Sequence, residues 1–477
     1  MTADRSRCQT TPTESDAAVN QLVKRARDAQ QQIDHYQQRQ IDRVVDALAW
    51  AIIHPEHNQA LATQAVADTG LGDINDKVAK NSRKTIGLLR DLQGKRSVGV
   101  INEIAEKGII EIARPVGVVA AITPSTNPVA TVINNIINAV KCRNAIIIAP
   151  SPAAAKVCAR MLEYIHHELD FVQAPRDLVQ MLPMPVNRRQ TEELLQQADL
   201  VVATGSRKNI AAAAQSGTPA FGVGSGNVAS IISESADIES AAAHIAASKT
   251  FDNATSCSSE NSLIVPAAVY RQTVAALIRQ GGVLLSAAEK QQLRQALWSA
   301  GKLARDSIAR PAGRLAEIAG LARAECRQAR FLLVEEQGIG PQFPFSGEKL
   351  APVLTLYQVD DFHHACETVK EIYRWQGAGH SVGLHTRDER EALQAGLSLP
   401  ASRVIVNQGH CFATGGNFNN GLPFTLTLGC GTWGKNHFSD NLNYRHFFNR
   451  VSIVSPIAEQ VPTLEDVLGD YLQRRYR

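Results

Sequence analysis

Apolar residues recur at helical spacing through the first part of the chain. From Asp16 to Ile53 they are separated by Gln, Lys, Arg and Asp residues, which is typical of one or two surface helices. The same spacing predicts helices from His57 to Asp68, ending at Gly70, and from Asp76 to Asp91. We expect these helices to form an entry layer without a functional site, and residues 1–15 to form a loose tail.

Beyond this layer the pattern changes to that of β-strands. Residues 97–113 predict a β-hairpin that ends at Pro115. The near-continuous apolar runs Val116–Ile122 and Asn144–Ala149 predict strands buried on both faces of a parallel sheet. Strands and helices then alternate, which predicts a doubly wound α/β domain. Ligands bind such domains beyond the carboxyl ends of the strands. The residues at those ends are Asn127, Ser151, Gly205 and Ser206.

A second α/β unit is predicted to begin at Val228. An Ala-rich helical run, Ala236–Lys249, precedes a loop with a single cysteine, and a helical stretch is expected from Ala267 to Cys326. The Gly- and Asn-rich loops of the last quarter predict close approach to a ligand or to another chain. The terminal strand, His446–Ser455, is expected to pair with a neighbouring subunit. Apolar runs predict further buried strands at 263–266, 331–334, 355–357 and 379–386.

Composition excludes several classes of function. The 477 residues suffice for two or three domains, and the net charge of +3 gives no support to nucleic-acid binding. No apolar run approaches the roughly 20 residues of a membrane span, and the N-terminus lacks the apolar stretch of a secretory signal. The eight cysteines are scattered, as expected for a reduced cytoplasmic protein. His54 and His57 have no partner cluster, so no metal site is expected.

One cysteine lies in a setting that favours chemistry. Cys257 is surrounded by small polar residues, in the sequence FDNATSCSSENS at positions 251–262, between a helical run and a buried strand. A thiol on such a tight connection can meet a substrate, and its thiolate is a good nucleophile. The alternative, an inert buried thiol, is the expectation for Cys142, Cys158 and Cys366, which lie on apolar helix faces.

Several segments, in the same order over residues 16–455, resemble the CoA-acylating branch of the aldehyde dehydrogenase superfamily. The matching segments are Thr123–Pro128, Ala149–Pro152, Ala203–Ser206, Gly222–Asn227, the cysteine loop at 249–262, Glu348–Pro352, Gly379–Ser381 and Leu428–Gly434. The similarity is greatest to members that act on sulfoacetaldehyde, with succinate semialdehyde and acetaldehyde as alternatives. It implies an NAD(P)-dependent oxidoreductase that converts an aldehyde and CoA to an acyl-CoA, or the reverse.

The resemblance implies roles for three side chains. Cys257 would attack the aldehyde carbonyl, and the Asn127 amide together with the Cys257 N–H would hold the developing oxyanion. His380 would assist proton transfer from Cys257 or from CoA. The non-catalytic alternatives are that Asn127 caps the following helix and that His380 is a hydrogen-bonded core residue.

A missing carboxylate bears on the second half of the reaction. Hydrolytic aldehyde dehydrogenases carry a glutamate that activates water just before the Gly-rich turn, where this chain has Gly222. No acidic residue lies between Asp199 and Glu234, and Glu260 is interpreted as structural. A thioester on Cys257 would therefore wait for the CoA thiol. The alternatives are a hydrolytic enzyme with its base elsewhere and a non-catalytic scaffold with this fold.

The resemblance also implies a cofactor site. Gly205 and Ser206 open a helix whose N–H groups can meet a pyrophosphate, and Glu348 would hold the nicotinamide ribose. No acidic residue occurs from Ala149 to Leu162, whereas Lys156 and Arg160 do, so NADP is favoured over NAD. The expected cofactor-binding residues are Thr123, Pro124, Ser151, Thr204, Gly205, Ser206, Gly222, Gly224 and Glu348.

The expected fold is α/β: a doubly wound cofactor-binding domain, an α/β catalytic domain and a β oligomerisation flap. The domains predicted are 1–225 with the hairpin, 226–430 for catalysis, and 431–477 for the C-terminal return and oligomerisation strand. We expect a cytoplasmic homodimer or homotetramer whose partners are a small aldehyde and CoA, without nucleic acid or membrane. The candidates for binding a sulfonate tail are Arg403, Asn407, His410, Asn417 and Asn419.

Overall fold

The computed structural model describes residues 14–224 and 226–475, so most of the expected N-terminal tail lies outside the described residues. Its helices are α1 (Glu14–Ile33), α2 (Gln38–Ile53), α3 (Pro55–Thr69), α4 (Ile74–Leu92), α5 (Ala130–Lys141), α6 (Ala155–Phe171), α7 (Arg188–Gln197), α8 (Arg207–Gln215), α9 (Ile238–Thr250), α10 (Ala267–Arg279), α11 (Ala287–Leu297), α12 (Ala312–Ile318), α13 (Ala324–Gln328), α14 (Phe362–Trp375), α15 (Glu389–Ser398), α16 (His410–Ala413) and α17 (Leu464–Arg475). Its strands are β1 (Gly99–Ile104), β2 (Ile109–Pro115), β3 (Val118–Thr123), β4 (Ala145–Pro150), β5 (Val179–Met181), β6 (Leu200–Thr204), β7 (Ala220–Val223), β8 (Val228–Ile232), β9 (Glu260–Pro266), β10 (Gly282–Leu284), β11 (Trp298–Ser299), β12 (Lys302–Leu303), β13 (Phe331–Glu335), β14 (Val353–Val359), β15 (Val382–His385), β16 (Val404–Val406) and β17 (Phe448–Val454).

The expected N-terminal helices are present as α1 to α4. Their apolar stripes face inward, as in α2, where Val45 and Leu48 are buried and the helix packs against α5 and α6. The polar face of α4 is not all in solvent, because Lys77 and Lys80 are buried. Buried lysines require partners, and these two find theirs in the second half of the chain.

A five-stranded parallel sheet lies at the centre of the N-terminal half, in the order β5-β4-β3-β6-β7. Every residue of β3 and β4 is buried, which explains their continuous apolar sequences. Helices α1, α5, α6 and α7 pack against this sheet. The doubly wound domain expected from the sequence is confirmed. Its central strands β3, β4 and β6 end side by side at Thr123, Pro150 and Thr204.

A seven-stranded parallel sheet forms the second unit, in the order β10-β13-β14-β9-β8-β15-β16. The helical stretch expected from Ala267 to Cys326 is wrong in one respect, since strand β10 and the small β11–β12 hairpin interrupt it. Gly281 has a φ of +91°, a conformation that ends the helical run. Val283 then pairs in parallel with Leu332 at the edge of the sheet.

A three-stranded antiparallel sheet, β1-β2-β17, completes the fold. Strand β17 pairs with β2, from Phe448 opposite Pro115 to Val454 opposite Ile109. Within the chain, the terminal strand therefore pairs with the predicted hairpin, and its expected pairing with a neighbouring subunit stays a prediction. Local pairing satisfies the backbone groups of one edge of β17 without a second chain. In the described ranges, no helix has the length and apolar character needed to cross a membrane.

Candidate active site

The loop that carries Cys257 connects α9 to β9 through a strained turn. Asp252, Asn253 and Ala254 have φ values of +51°, +50° and +58°. Left-handed conformations cost non-glycine residues about 1–2 kcal/mol each, so the surroundings must hold this turn in place. Cys257 lies three residues after Ala254, and among the described cysteines it is the one that is only partly buried.

Asp252 anchors the strained turn to helix α4. Its buried carboxylate accepts from Lys77 Nζ at 3.1 Å and from Lys80 Nζ at 2.5 Å through Oδ2. Its Oδ1 accepts from the Asp73 N–H at 2.8 Å. Burial opposes ionisation, but the two ammonium groups outweigh it and hold the pKa of Asp252 below its usual value. These ion pairs bring α4 against the cysteine loop.

Lys80 also orients Asn127. Its ammonium donates to Asn127 Oδ1 at 2.8 Å and to Thr255 Oγ1 at 3.2 Å. Because the amide oxygen is engaged, the amide NH₂ is the part of Asn127 left to donate into the cavity that it lines with Cys257. This orientation suits a donor to a developing oxyanion.

His380 lies against the thiol. Its Nε2 is 3.5 Å from Cys257 Sγ, and its Nδ1 is 2.7 Å from Ser381 Oγ. In the tautomer whose Nδ1–H donates to Ser381, Nε2 has a lone pair that can accept the thiol proton. Arg403 donates to the backbone carbonyl of His380 at 2.8 Å and so fixes this segment.

Both members of this pair are neutral at rest. Burial raises the pKa of the Cys257 thiol to about 12, and the charges of Glu348 and Cys430 act in the same direction. Burial lowers the pKa of His380 to about 3, and Arg403 adds to the shift. At pH 7 the pair is therefore a thiol and a neutral imidazole. A neutral imidazole in this position can accept a proton from the thiol.

A small pocket of about 50 Å³ opens beside the thiol. Its walls are partly apolar, with Phe251 and Phe412, and none of its described lining residues is acidic. The expectation that the N-terminal helices carry no functional site is wrong for α4, because Asp252 draws its polar face toward the cysteine loop. The cations on the cavity wall all come from that helix: Lys80, Arg83 and Lys84.

The Gly-rich turn passes close to the nucleophile. A Cβ added at Gly226 would lie 2.1 Å from the Cys257 carbonyl oxygen, so only glycine fits there. Sequence reasoning singled out Gly222 and Gly224 in this turn but not Gly226, since nothing in the sequence shows which glycine meets the cysteine.

Both carboxylate oxygens of Glu260 accept hydrogen bonds from neighbouring residues. Its Oε2 accepts from Ser248 Oγ at 2.5 Å and its Oε1 from the His410 N–H at 3.0 Å. Both oxygens are engaged and the side chain is buried, so the structural role interpreted from the sequence stays a prediction.

A cleft of about 770 Å³ lies at the carboxyl ends of β3 and β4 and beside α8. Thr123, Ser151 and Ser206 line it, and Ser206 caps α8 by accepting from the Asn209 N–H at 3.3 Å. The first N–H groups of α8 and the cationic side chains on the cleft wall suit a phosphate-bearing dinucleotide. Those cations are Arg188 and Lys208.

Lys156 and Arg160, from which NADP was favoured, do not lie on this wall. Both are exposed on α6, and neither is among the described residues that line the cleft. The sequence placed cations near the second strand, whereas the fold brings those of α7 and α8 to the cleft.

The other expected cofactor residues lie outside the lining of this cleft. Thr204 Oγ1 is 3.0 Å from Thr427 Oγ1. Glu348 is close enough to Cys257 to raise the pKa of the thiol, and it lines a second cavity of about 610 Å³. The remainder follow or belong to the strand ends of β3, β6 and β7: Pro124, Gly205, Gly222 and Gly224.

The residues expected to bind a sulfonate tail are not in the described lining of the Cys257 cavity. Arg403 donates to three backbone carbonyls, and Asn407 and His410 also bond backbone groups. Asn419 is exposed. Asn417 comes nearest to the cavity, because its amide oxygen accepts a hydrogen bond from Arg83.

A thiol with a proton acceptor and an oriented amide can add to a carbonyl carbon, and the dinucleotide cleft can supply the hydride acceptor. Those are the functional groups that an enzyme needs to oxidise an aldehyde through a covalent thioester. Residues 2–284 match the model of the aldehyde dehydrogenase family, and the chain belongs to that family.

Individual relatives place the chain in the acylating branch. It is 59% identical to a protein of Cupriavidus necator named sulfoacetaldehyde dehydrogenase (acylating), over 96% of this chain and 93% of the relative. It is 36% identical to a succinate-semialdehyde dehydrogenase (acetylating) of Clostridium kluyveri, over 95% and 100% of the two chains. The crystal structure of an acetylating aldehyde dehydrogenase from Geobacillus thermoglucosidasius has a TM-score of 0.90 and 36% identity, covering 94% of this chain and 99% of that one. The protein is thus an acylating aldehyde dehydrogenase, as the resemblance implied.

Proposed function

We propose that this enzyme converts sulfoacetaldehyde, CoA and NADP⁺ to sulfoacetyl-CoA, NADPH and a proton, or catalyses the reverse. The observation that carries the proposal is the cavity beside Cys257, which combines a nucleophile, a cationic wall and no acidic lining residue in the described part of the chain. The relative of Cupriavidus necator, named for this aldehyde, supports the same substrate. Succinate semialdehyde is the second candidate, because it too is an anionic aldehyde and gives its name to another relative.

The first half-reaction forms a thioester. Cys257 Sγ bonds to the aldehyde carbon while its proton passes to His380 Nε2, which lies 3.5 Å away. The carbonyl oxygen becomes an oxyanion and accepts from the Asn127 amide and the Cys257 N–H. Bound NADP supplies the acceptor for the hydride that leaves this carbon. Thr123, Ser151 and Ser206 would hold the cofactor.

The second half-reaction transfers the acyl group. Gly222 replaces the carboxylate that activates water in hydrolytic relatives, and both oxygens of Glu260 are engaged. The thioester therefore persists until the CoA thiol attacks its carbonyl carbon. His380, which has released the first proton to solvent, takes the proton of the CoA thiol during this attack, the Cys257–acyl bond breaks, and His380 returns that proton to the departing Cys257 thiolate.

The remaining assignments follow from the same arrangement. NADP is favoured because Lys208 lines the cofactor cleft together with Arg188, which is paired there with Glu192 at 2.7 Å. Residues 1–225 would bind the cofactor, 226–430 would carry the chemistry and 431–477 would serve assembly. A homodimer or homotetramer is supported by exposed Val451 and Ile453 on β17, and a cytoplasmic location by the reactive thiol.

The decisive experiment measures NADPH formation from sulfoacetaldehyde with and without CoA. We expect formation to require CoA, to produce sulfoacetyl-CoA, and to be abolished in a folded Cys257→Ala variant. Turnover to the free acid without CoA would show a hydrolytic enzyme. Without CoA, mass spectrometry should find one acyl group on Cys257, and an adduct on another side chain would contradict the proposal.

Two further measurements test the substrate and the cofactor. Rates with sulfoacetaldehyde, succinate semialdehyde and acetaldehyde rank the substrates, and we expect sulfoacetaldehyde to have the highest kcat/KM. Rates with NADP and NAD test the cofactor preference, which a strong preference for NAD would overturn.

A further inference from the structure

The cavity beside Cys257 has one wall made by a single face of helix α4. Lys80, Arg83 and Lys84 are three and four residues apart, so their side chains lie on neighbouring positions of the helix. Lys80 is the innermost, since it donates to Asn127 Oδ1 at 2.8 Å. Arg83 is exposed and Lys84 half-buried, so the cationic wall leads from solvent toward the nucleophile.

Only the innermost of these cations is neutralised. Lys80 pairs with Asp252. Within the ranges 14–224 and 226–475, no carboxylate forms an ion pair with Arg83 or Lys84. The guanidinium of Arg83 and the amine of Lys84, whose pKa is lowered to about 7, therefore line a cavity that has no acidic residue in its described lining.

Neutral groups hold the two outer cations in place. Lys84 Nζ donates to the carbonyl oxygens of Gly415 at 2.9 Å and Gly416 at 3.1 Å, and it lies 5.2 Å from the centre of the Phe424 ring. Arg83 lies 5.0 Å from the centre of the Phe418 ring and donates one hydrogen bond, to Asn417. These contacts fix the positions of the cations without cancelling their charge.

Without a bound anion, the protonated form of Lys84 is destabilised. Burial lowers the pKa of Lys84 to about 7, and the neighbouring Arg83 and Lys80 contribute to the shift. A guanidinium with unused donors beside such an ammonium forms a site for an anion with several oxygen atoms. An anionic ligand would restore the charge balance of the cavity wall.

We propose that Arg83 and Lys84 bind the anionic tail of the aldehyde and thereby select sulfonate-bearing substrates over neutral ones. The inference rests on the proposed function and assigns its specificity to residues that sequence reasoning did not consider. Arg83 is the principal contact because its remaining N–H groups can donate to two sulfonate oxygens at once. A carboxylate shares this chemistry, so succinate semialdehyde is the comparison substrate.

The test compares Arg83→Met with the wild-type enzyme at saturating CoA and NADP. We expect the ratio of kcat/KM for sulfoacetaldehyde to that for acetaldehyde to fall by about 10- to 100-fold, mainly through KM. Arg83→Lys should recover part of the ratio, because the charge remains while the planar donor pair is lost. Lys84→Met should lower the ratio in the same direction.

Arg90→Met is the matched control. Arg90 lies on the same helix and also packs against Phe418, but it pairs with Asp91 and does not line the cavity. Its ratio should equal that of the wild type. A ratio that falls for only one of the two acidic aldehydes identifies which anion the site accepts.

Three results would overturn the inference, and they are distinguishable. An unchanged ratio in Arg83→Met, with wild-type turnover intact, removes the role of Arg83 and leaves the proposed function standing. A rise in the KM for CoA alone would assign Arg83 to the other substrate. Wild-type enzyme that oxidises acetaldehyde but neither acidic aldehyde would overturn the proposed function together with this inference.

Discussion

Replacing Lys80 with methionine tests whether a buried ammonium group orients the oxyanion donor. The substitution keeps the length of the side chain but removes the donor to Asn127 Oδ1 at 2.8 Å. A hydrogen bond from a charged donor contributes about 1.5–3 kcal/mol. Without it the Asn127 amide can turn its oxygen toward the cavity, where it repels the developing negative charge. We expect kcat to fall by about 10- to 100-fold, since 1.4 kcal/mol corresponds to about tenfold.

A double-mutant cycle separates this role from general damage. If Lys80 acts through Asn127, then Lys80→Met should cost almost nothing in a protein that already carries Asn127→Ala. Steady-state kcat of the four proteins, measured with sulfoacetaldehyde and saturating CoA, gives the coupling. Additive losses would refute the reasoning.

Lys77→Met is the control for stability in this cycle. Lys77 also pairs with Asp252, at 3.1 Å, but its other partner is the Thr126 carbonyl and not the Asn127 amide. It should lower the thermal midpoint about as much as Lys80→Met while reducing kcat less. Equal losses of kcat in the two variants would mean that the strained turn, and not the amide, carries the effect.

Three further outcomes follow from the site. Burial raises the pKa of the Cys257 thiol to about 12 and lowers that of His380 to about 3. The rate at which iodoacetamide labels the thiol should therefore keep rising with pH up to pH 10. A rate that is already constant below pH 7 would show a thiolate–imidazolium pair in the resting enzyme. Glu348→Gln removes a charge that raises the pKa of the thiol, so labelling at pH 8 should accelerate, and an unchanged rate would place this carboxylate too far away. Gly226→Ala puts a methyl group 2.1 Å from the Cys257 carbonyl oxygen and should lower kcat at least 100-fold. Gly396→Ala is the control, because its methyl group would meet no atom within 4 Å. Retained activity in Gly226→Ala would show that the loop can relax.

The cofactor domain could be predicted because its signals are local. Strands buried on both faces need continuous apolar runs, as in Val118–Thr123 and Ala145–Pro150. Parallel strands then bring Thr123 and Ser151 to one edge regardless of side-chain detail. The setting of Cys257 was also visible, since small polar residues between a helix and a buried strand are contiguous in sequence.

The cationic wall could not be predicted in the same way. Lys77, Lys80 and Lys84 repeat at helical spacing, and that pattern on an amphipathic helix normally faces solvent. The burial of Lys77 and Lys80 depends on Asp252, which lies 172 positions after Lys80, and Lys84 is held by the carbonyl oxygens of Gly415 and Gly416. One signal was available in the sequence. Lysines recur at helical spacing on a helix to which no function was assigned, and the cysteine loop contains an acidic residue, Asp252, that could pair with them. Short strands such as Val404–Val406 were missed because three residues show no period.

The sheet β1-β2-β17 has a consequence for how the protein is made. Asn449 contacts Pro115 across 334 positions of sequence, so the hairpin leaves the ribosome long before its third strand exists. At typical elongation rates the delay is roughly 20–70 s. During that time the outer edge of β2 exposes unpaired backbone groups that can join a hairpin on another nascent chain of the same polysome. Chains stopped before β17 should therefore be the most aggregation-prone species in translation, and release of the last segment closes that edge.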